Sequence, residues 1–209
     1  MTDFLGYVGL ALLLSVGPMY VALRIGASRK TRACCLVISL SVWLVPWFGQ
    51  SLVYYVRGVT GDISVASLAL MLTMYSQMLL HQRMKYRPVR FSIGITFLAM
   101  TLPLYASCLG YWAFDLYGWG YDPRWMLLAT GLLMLWVWSV SPQLALAWLV
   151  GVTCFATGWL PSRNLWDALV DPFMAMAGVW IVAEAVLQKA IGYRDTKPSI
   201  DLVPVAKAA

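Results

Sequence analysis

The chain has 209 residues, of which 61% are hydrophobic and only 11% are charged. A soluble globular protein usually carries about 25% charged residues, so this composition excludes an ordinary soluble domain and predicts an integral membrane protein. The net charge of +6 does not indicate nucleic-acid binding, because the basic residues are confined to particular loops between apolar segments.

Apolar segments of about the length that a bilayer requires recur along the chain, separated by charged or turn-forming loops. They predict an all-α bundle of about seven transmembrane helices that occupies residues 1–192 as one domain. A short tail follows at 193–209, which we expect to be disordered. The first segment has no basic leader and is expected to be a retained span. The predicted spans are residues 4–23, 33–56, 63–80, 91–114, 125–140, 143–160 and 172–191.

The fifth and sixth spans come from one long apolar stretch. Residues 125–160 carry no charged side chain and are too long for a single crossing at ~1.5 Å per residue. Ser141 and Pro142 provide the turn, since proline lacks an N–H group and disfavours a helical conformation in the residue before it. The stretch is therefore predicted to form a tight helical hairpin.

The basic residues predict how the spans are oriented. Segments 24–32 and 81–90 each carry four basic residues and no acid, and the chain from residue 189 onward carries four more. Seven spans with the N-terminus outside place all three segments in the cytoplasm, so that twelve of the fifteen basic residues lie inside. The positive-inside rule favours this arrangement. It predicts a multi-pass protein of a bacterial inner membrane or a plasma membrane, with a cytoplasmic C-terminus.

Glu184 is an acidic residue inside the last predicted span, about 12 residues from its outer end and hence ~18 Å deep. A charge at such a depth costs roughly 2.5–3.5 kcal/mol on insertion scales, so it is expected to face the bundle interior. Gln188 lies one turn further on the same face, and Gln77 is expected at a similar depth, with His81 one turn below it. These four residues predict a polar interior that binds a solute or an ion. The structural alternative is a glutamate that reaches toward cytoplasmic water or pairs with Lys189.

Motifs of the common catalytic and metal sites are missing from the sequence. The chain has a single histidine, which excludes a multi-histidine metal site, and its four cysteines form no CxxC pair. No GxSxG, HExxH or Walker A pattern occurs. These absences favour a protein without catalytic activity and without a cofactor.

Three functions stay open for such a bundle in a lipid bilayer. The leading interpretation is a non-enzymatic transporter or channel-like bundle that moves a small solute or a proton past Glu184. The second is an accessory protein, such as an assembly factor or a phage- or plasmid-borne component, that contacts another membrane protein or copies of itself. The third is a membrane-embedded enzyme that uses His81 and the basic loops on a phosphorylated lipid. No clear internal repeat favours transport over the others.

Overall fold

The computed structural model describes residues 2–47, 49–80 and 87–190, so that His81 and the predicted tail lie outside the described residues. The described chain is helical apart from one short hairpin, which confirms the predicted helical bundle. Its α-helices are α1 (Thr2–Arg24), α2 (Arg29–Leu44), α3 (Leu52–Thr60), α4 (Val65–Leu80), α5 (Arg87–Cys108), α6 (Arg124–Val140), α7 (Pro142–Ala156), α8 (Leu165–Leu169) and α9 (Pro172–Ala190). The hairpin strands are β1 (Pro46–Trp47) and β2 (Gln50–Ser51), and a single 3-10 turn covers Gly118–Gly120.

Three of these helices are long and apolar enough to cross a membrane. They are α1 from Gly6 onward, α5 from Phe91 onward and the whole of α9. Helices α4, α6 and α7 are apolar too but shorter, with 16, 17 and 15 residues. The length and composition of the three long helices indicate membrane association, as the sequence predicts.

The predicted span 33–56 is wrong as a single helix. Helix α2 ends at Leu44, and the antiparallel hairpin of β1 and β2 separates it from α3. Pro46 explains the break, because proline has no N–H group to donate to the preceding turn and disfavours a helical residue before it. Gly49 then adopts a φ of 92° in the hairpin turn, a conformation that glycine adopts readily.

Two further predicted spans, 91–114 and 143–160, extend beyond their helices, since α5 ends at Cys108 and α7 at Ala156. The same C-terminal motif ends both helices: a glycine with positive φ follows, and the next residue donates its N–H to a carbonyl five positions back. The hairpin turn lies where the sequence predicts it. Helix α6 ends at Val140, and Ser141 caps α7 by accepting the N–H of Leu144 at 3.4 Å.

Helix α4 packs against both halves of the bundle. On one side, Met71 and Tyr75 of α4 join Leu12 and Met19 of α1 in one cluster. On the other side, Ala66 belongs to a larger cluster formed with residues of α5 to α9. Within that second half, α5 and α9 approach closely: a Cβ atom added at Gly94 would lie 2.8 Å from Ile181.

The two ends of the bundle differ in charge. At one end, Asp171 accepts the N–H of Ser64 at 2.9 Å, which joins the start of α9 to the start of α4. At the other end, Arg32 donates to the carbonyl of Met78, which joins the start of α2 to the end of α4. We call the first the acidic end, whose loops and short helices carry Asp62, Asp115, Asp122, Asp167 and Asp171. The second is the basic end, which comprises the turn between α1 and α2, the end of α4, the start of α5 and the end of α9.

Candidate functional site

Glu184 and Gln188 form a hydrogen-bonded pair on α9. The Nε2 atom of Gln188 donates to Oε1 of Glu184 at 3.0 Å, and both residues are half-buried. Their spacing of four residues places them on one helix face. Ile181 lies on the same face one turn earlier and packs against Gly94 of α5. The pair therefore lies on the side of α9 that faces α5.

The packing of α5 on α9 shows at which level along the bundle Glu184 lies. The two helices run antiparallel, with Gly94 beside Ile181 and Leu98 beside Gly178. Continued by three residues, this register places Glu184 level with the first turns of α5, toward the basic end.

The structure does not bring Gln77 into a hydrogen bond with this pair. Its Oε1 atom is buried and has no hydrogen-bond partner in the described part of the chain. Ala66 and Leu70, three and two turns earlier on the same face of α4, pack into the cluster of α5 to α9. Gln77 therefore faces the second half of the bundle, where α4 packs mainly on α7 while α9 packs mainly on α5.

A second polar atom without a partner lies in the same half. Trp148 of α7 is fully buried, and its indole N–H has no acceptor among the described residues. Trp148 supplies a donor and Gln77 an acceptor, and their helices pack against each other. Since roughly 90% or more of buried polar groups in proteins are hydrogen-bonded, each of these two atoms is a point at which a polar group would gain a hydrogen bond.

Arg32 is a buried charge at the basic end. Its residue surface is 2% exposed, one terminal nitrogen donates to the carbonyl of Met78, and Nε has no acceptor within the described residues. The loop composition predicts Arg32 only as one of several basic loop residues and does not predict its burial. A signal was present, because Arg32 begins a helical stripe that continues through Cys35, Leu36 and Ser39 toward α1 and α4.

Polar groups at the acidic end are paired far more completely. Asp171 is 3% exposed, and its two carboxylate oxygens accept the N–H groups of Met174 at 2.8 Å and Ser64 at 2.9 Å. Ser64 in turn accepts the N–H of Ser67 at 3.1 Å. One buried carboxylate therefore caps α9 and holds the residue that caps α4, which is a structural role.

Asn164 extends this pairing to the loop before α6. It is fully buried, donates from Nδ2 to the carbonyl of Tyr117 at 3.0 Å, and accepts the N–H of Trp166 at 3.0 Å. Asp167 accepts the hydroxyls of Tyr117, at 3.1 and 3.2 Å, and Ser162, at 2.5 Å. Burial, followed by the nearby Asp167 carboxylate, raises the pKa of Tyr117 and keeps its hydroxyl a donor. These contacts hold the loop against α8.

An open groove of about 410 Å³ at the acidic end is lined by tyrosines of α1 and α3. Arg57 lies in its wall, donates to both oxygens of Asp62 at 2.5 and 2.8 Å, and has its guanidinium 5.1 Å from the ring centre of Tyr7. Ring stacking and ion pairing within the chain account for this arginine. The groove is therefore a weaker candidate site than the unpaired buried atoms.

The described residues contain no group of three or more His, Cys, Asp or Glu side chains that could hold a metal ion. His81 lies outside the described residues, and its proposed place below Gln77 stays a prediction. Gln77, Trp148 and Arg32 each have one buried polar atom that lacks a hydrogen-bond partner among the described residues. Comparison with protein families, with curated proteins and with solved structures finds no match to this chain.

Proposed function

We propose that the protein is a multi-pass membrane transporter of a small polar solute. The observation that carries the proposal is the presence of two unpaired buried atoms, Oε1 of Gln77 and Nε1 of Trp148, on the packed helices α4 and α7. An unsatisfied buried polar group costs ~1–3 kcal/mol, so both atoms favour a molecule that supplies the missing hydrogen bonds. A small solute that bears both a donor and an acceptor has this chemistry.

The proposed topology has seven crossings, an outside N-terminus and a cytoplasmic C-terminus. In the described chain, seven helices have 15 or more residues, and each of them overlaps one of the predicted spans. The separation of acidic and basic loops to opposite ends of the bundle supports this topology, because positive loops favour the cytoplasmic side. The shortest of these helices has 15 residues, ~22 Å at 1.5 Å per residue, so the bilayer would be thinned or the ends completed by interfacial residues.

Reporter fusions test this topology. Fusions after residues 30, 87 and 200 should report a cytoplasmic position, and a fusion after residue 119 should report an external one. A C-terminal fusion that reports an external position would contradict seven crossings. Such a result would point to one span that does not cross, and a single crossing by the short helix pair α6 and α7 would be the first explanation to check.

Glu184 and Gln188 are proposed to couple transport to a proton or cation. Their hydrogen bond on the α5-facing side of α9 keeps the carboxylate in a polar setting inside the bundle. Glu184→Gln keeps the size of the side chain and its hydrogen bond to Gln188, so the variant should insert and fold normally. It should lose the dependence of uptake on a proton or cation gradient, while a solute gradient still drives entry.

Uptake by the reconstituted protein tests the transport proposal. Small neutral, cationic and anionic solutes are each added outside proteoliposomes, so that an inward gradient forms. For at least one solute class, the proteoliposomes should swell faster than protein-free vesicles. Gln77→Leu should slow this uptake, whereas Gln143→Leu, the same change at an exposed position of α7, should not. If no solute enters faster than in protein-free vesicles, the protein is not a transporter of these classes and the accessory interpretation gains.

A further inference from the structure

The bonding of Arg32 leaves a charged side chain incompletely satisfied inside the bundle. A guanidinium carries five N–H donors, yet the hydrogen bond to the Met78 carbonyl is the one this side chain makes among the described residues, and Nε is buried without an acceptor. The residue is 2% exposed and its Nε atom is buried, so bulk water does not replace the acceptor that Nε lacks. Burial of an ionised group without a counter-charge is costly, and this cost predicts an acceptor that carries negative charge.

Among the described residues, no acidic side chain pairs with Arg32. Arg29 and Lys30, in the same first turn of α2, are exposed, and this turn contains no acid. Glu184, an acidic residue of the described chain that lies toward the basic end, is on α9 in the other half of the bundle. The charged side chains in the first turn of α2 are therefore all basic.

The first turn of α2 adds backbone donors to these basic side chains. Ser28 caps the helix by accepting the N–H of Thr31 at 3.2 Å, while the N–H groups at the very start of a helix have no intrahelical acceptor. Such N–H groups bind anions, and a tetrahedral oxyanion matches them well. These free N–H groups lie in the turn that leads into Arg32, and they add partial positive charge to this end of α2.

We propose that Arg32 binds the phosphate group of an anionic ligand at the junction between the start of α2 and the end of α4. The planar fork of a guanidinium fits two oxygens of a phosphate and forms charge-assisted hydrogen bonds to them. The phosphate belongs either to an anionic lipid headgroup or to a free phosphate ion, which share this chemistry. This site is independent of the transport proposal, because Met78 packs with α1 and α2 on a different face of α4 from Gln77.

A purely structural role for Arg32 predicts something different. Cations near the last turn of a helix stabilise its carbonyl end, and Arg32 occupies such a position beside Met78 in the last turn of α4. If this contact were its whole role, replacing Arg32 would lower the melting temperature equally with and without phosphate. The phosphate dependence of stability therefore separates the two roles.

The test is the thermal stability of the full chain purified in a neutral detergent. One arm adds inorganic phosphate against sodium chloride of equal ionic strength, and the other adds phosphatidylglycerol against phosphatidylcholine. At 100 times its Kd, the bound probe should raise the melting temperature by about 5–10 °C. Arg32→Met should abolish this rise, while the matched control Lys30→Met, which removes an exposed charge from the same turn, should keep it.

The two arms also identify the source of the phosphate. A rise with inorganic phosphate that depends on Arg32 assigns the site to a free ion, and such a rise with phosphatidylglycerol alone assigns it to a lipid. Arg32→Lys keeps the charge without the two-pronged geometry, so the rise should shrink; this variant serves if Arg32→Met fails to fold. No rise in either arm, or an equal rise in wild type and both Arg32 variants, would overturn the proposal.

Discussion

Asp171 at the acidic end and Arg32 at the basic end are buried to nearly the same extent, 3% and 2% exposed, yet their bonding differs. Both oxygens of Asp171 accept backbone N–H groups, whereas Nε of Arg32 has no acceptor in the described residues. A saturated buried charge holds two helices together and has little capacity left for a ligand. A buried charge that lacks hydrogen-bond partners destabilises the ligand-free protein, and a bound ligand that supplies those partners removes this cost. The acidic end therefore has a structural role, and the basic end is the one that we propose to bind a ligand.

The largest effect is expected from Gly120→Ala at the acidic end. A Cβ atom at this buried glycine would lie 1.7 Å from Oδ1 of Asn164. The Asn164 side chain must then leave the position in which its Nδ2 donates to the Tyr117 carbonyl and its Oδ1 accepts the N–H of Trp166. Overpacking and the lost hydrogen bonds together should cost about 3–5 kcal/mol, measured by thermal or urea unfolding in detergent. The matched control is Gly131→Ala in α6, where nothing lies within 4 Å of the added atom. A stable Gly120→Ala protein would show that Asn164 does not anchor the loop.

Replacing Asp171 should have the next largest effect. Asp171→Ala removes the acceptor for Met174 and Ser64 and leaves two buried N–H groups unpaired, at a cost of about 2–4 kcal/mol. Asp167→Ala, at an exposed aspartate of the same end, should cost less than half as much because water replaces its partners. Equal losses for the two variants, measured by urea unfolding, would mean that burial does not distinguish them.

Sequence patterns predicted the helices and the charge of the loops, because hydropathy and loop composition are local properties. They did not predict which charges are buried. The partner of Asp171 is Ser64, 107 residues away, and the partner of Arg32 is Met78, 46 residues away. Gln77 was predicted beside Glu184 because both lie at a similar depth. In the structure, their neighbours follow from the packing of α4 on α7 and of α9 on α5. Depth follows from chain length, but the direction of a side chain follows from tertiary packing.

Arg32→Met should change stability far less than Asp171→Ala when no phosphate is present. The variant loses the hydrogen bond to Met78 but also removes a buried charge without a counter-ion, and apolar replacements of such charges are often neutral or stabilising. We expect a difference within about 1 kcal/mol of wild type. A loss as large as that of Asp171→Ala, in the same urea titration, would assign Arg32 to the structural framework and erase the contrast between the two ends.

The smallest effect is expected from Asp122→Asn, which alters an ion pair on the surface of the acidic end. Arg124 donates to both oxygens of Asp122, at 3.0 and 2.9 Å, and this hydrogen bonding lowers the pKa of the carboxyl. A carboxyl whose pKa is lower in the folded state stabilises the protein above its unfolded pKa and loses that contribution as pH falls through the folded pKa. Both side chains are largely exposed, 64% for Asp122 and 83% for Arg124, so solvent screens the pair. The melting temperature of Asp122→Asn should therefore match wild type at pH 7, and the two melting curves should stay together down to pH 3. A clear loss at pH 7 that disappears in acid would show that this exposed pair, like the buried Asp171, helps to hold the acidic end together.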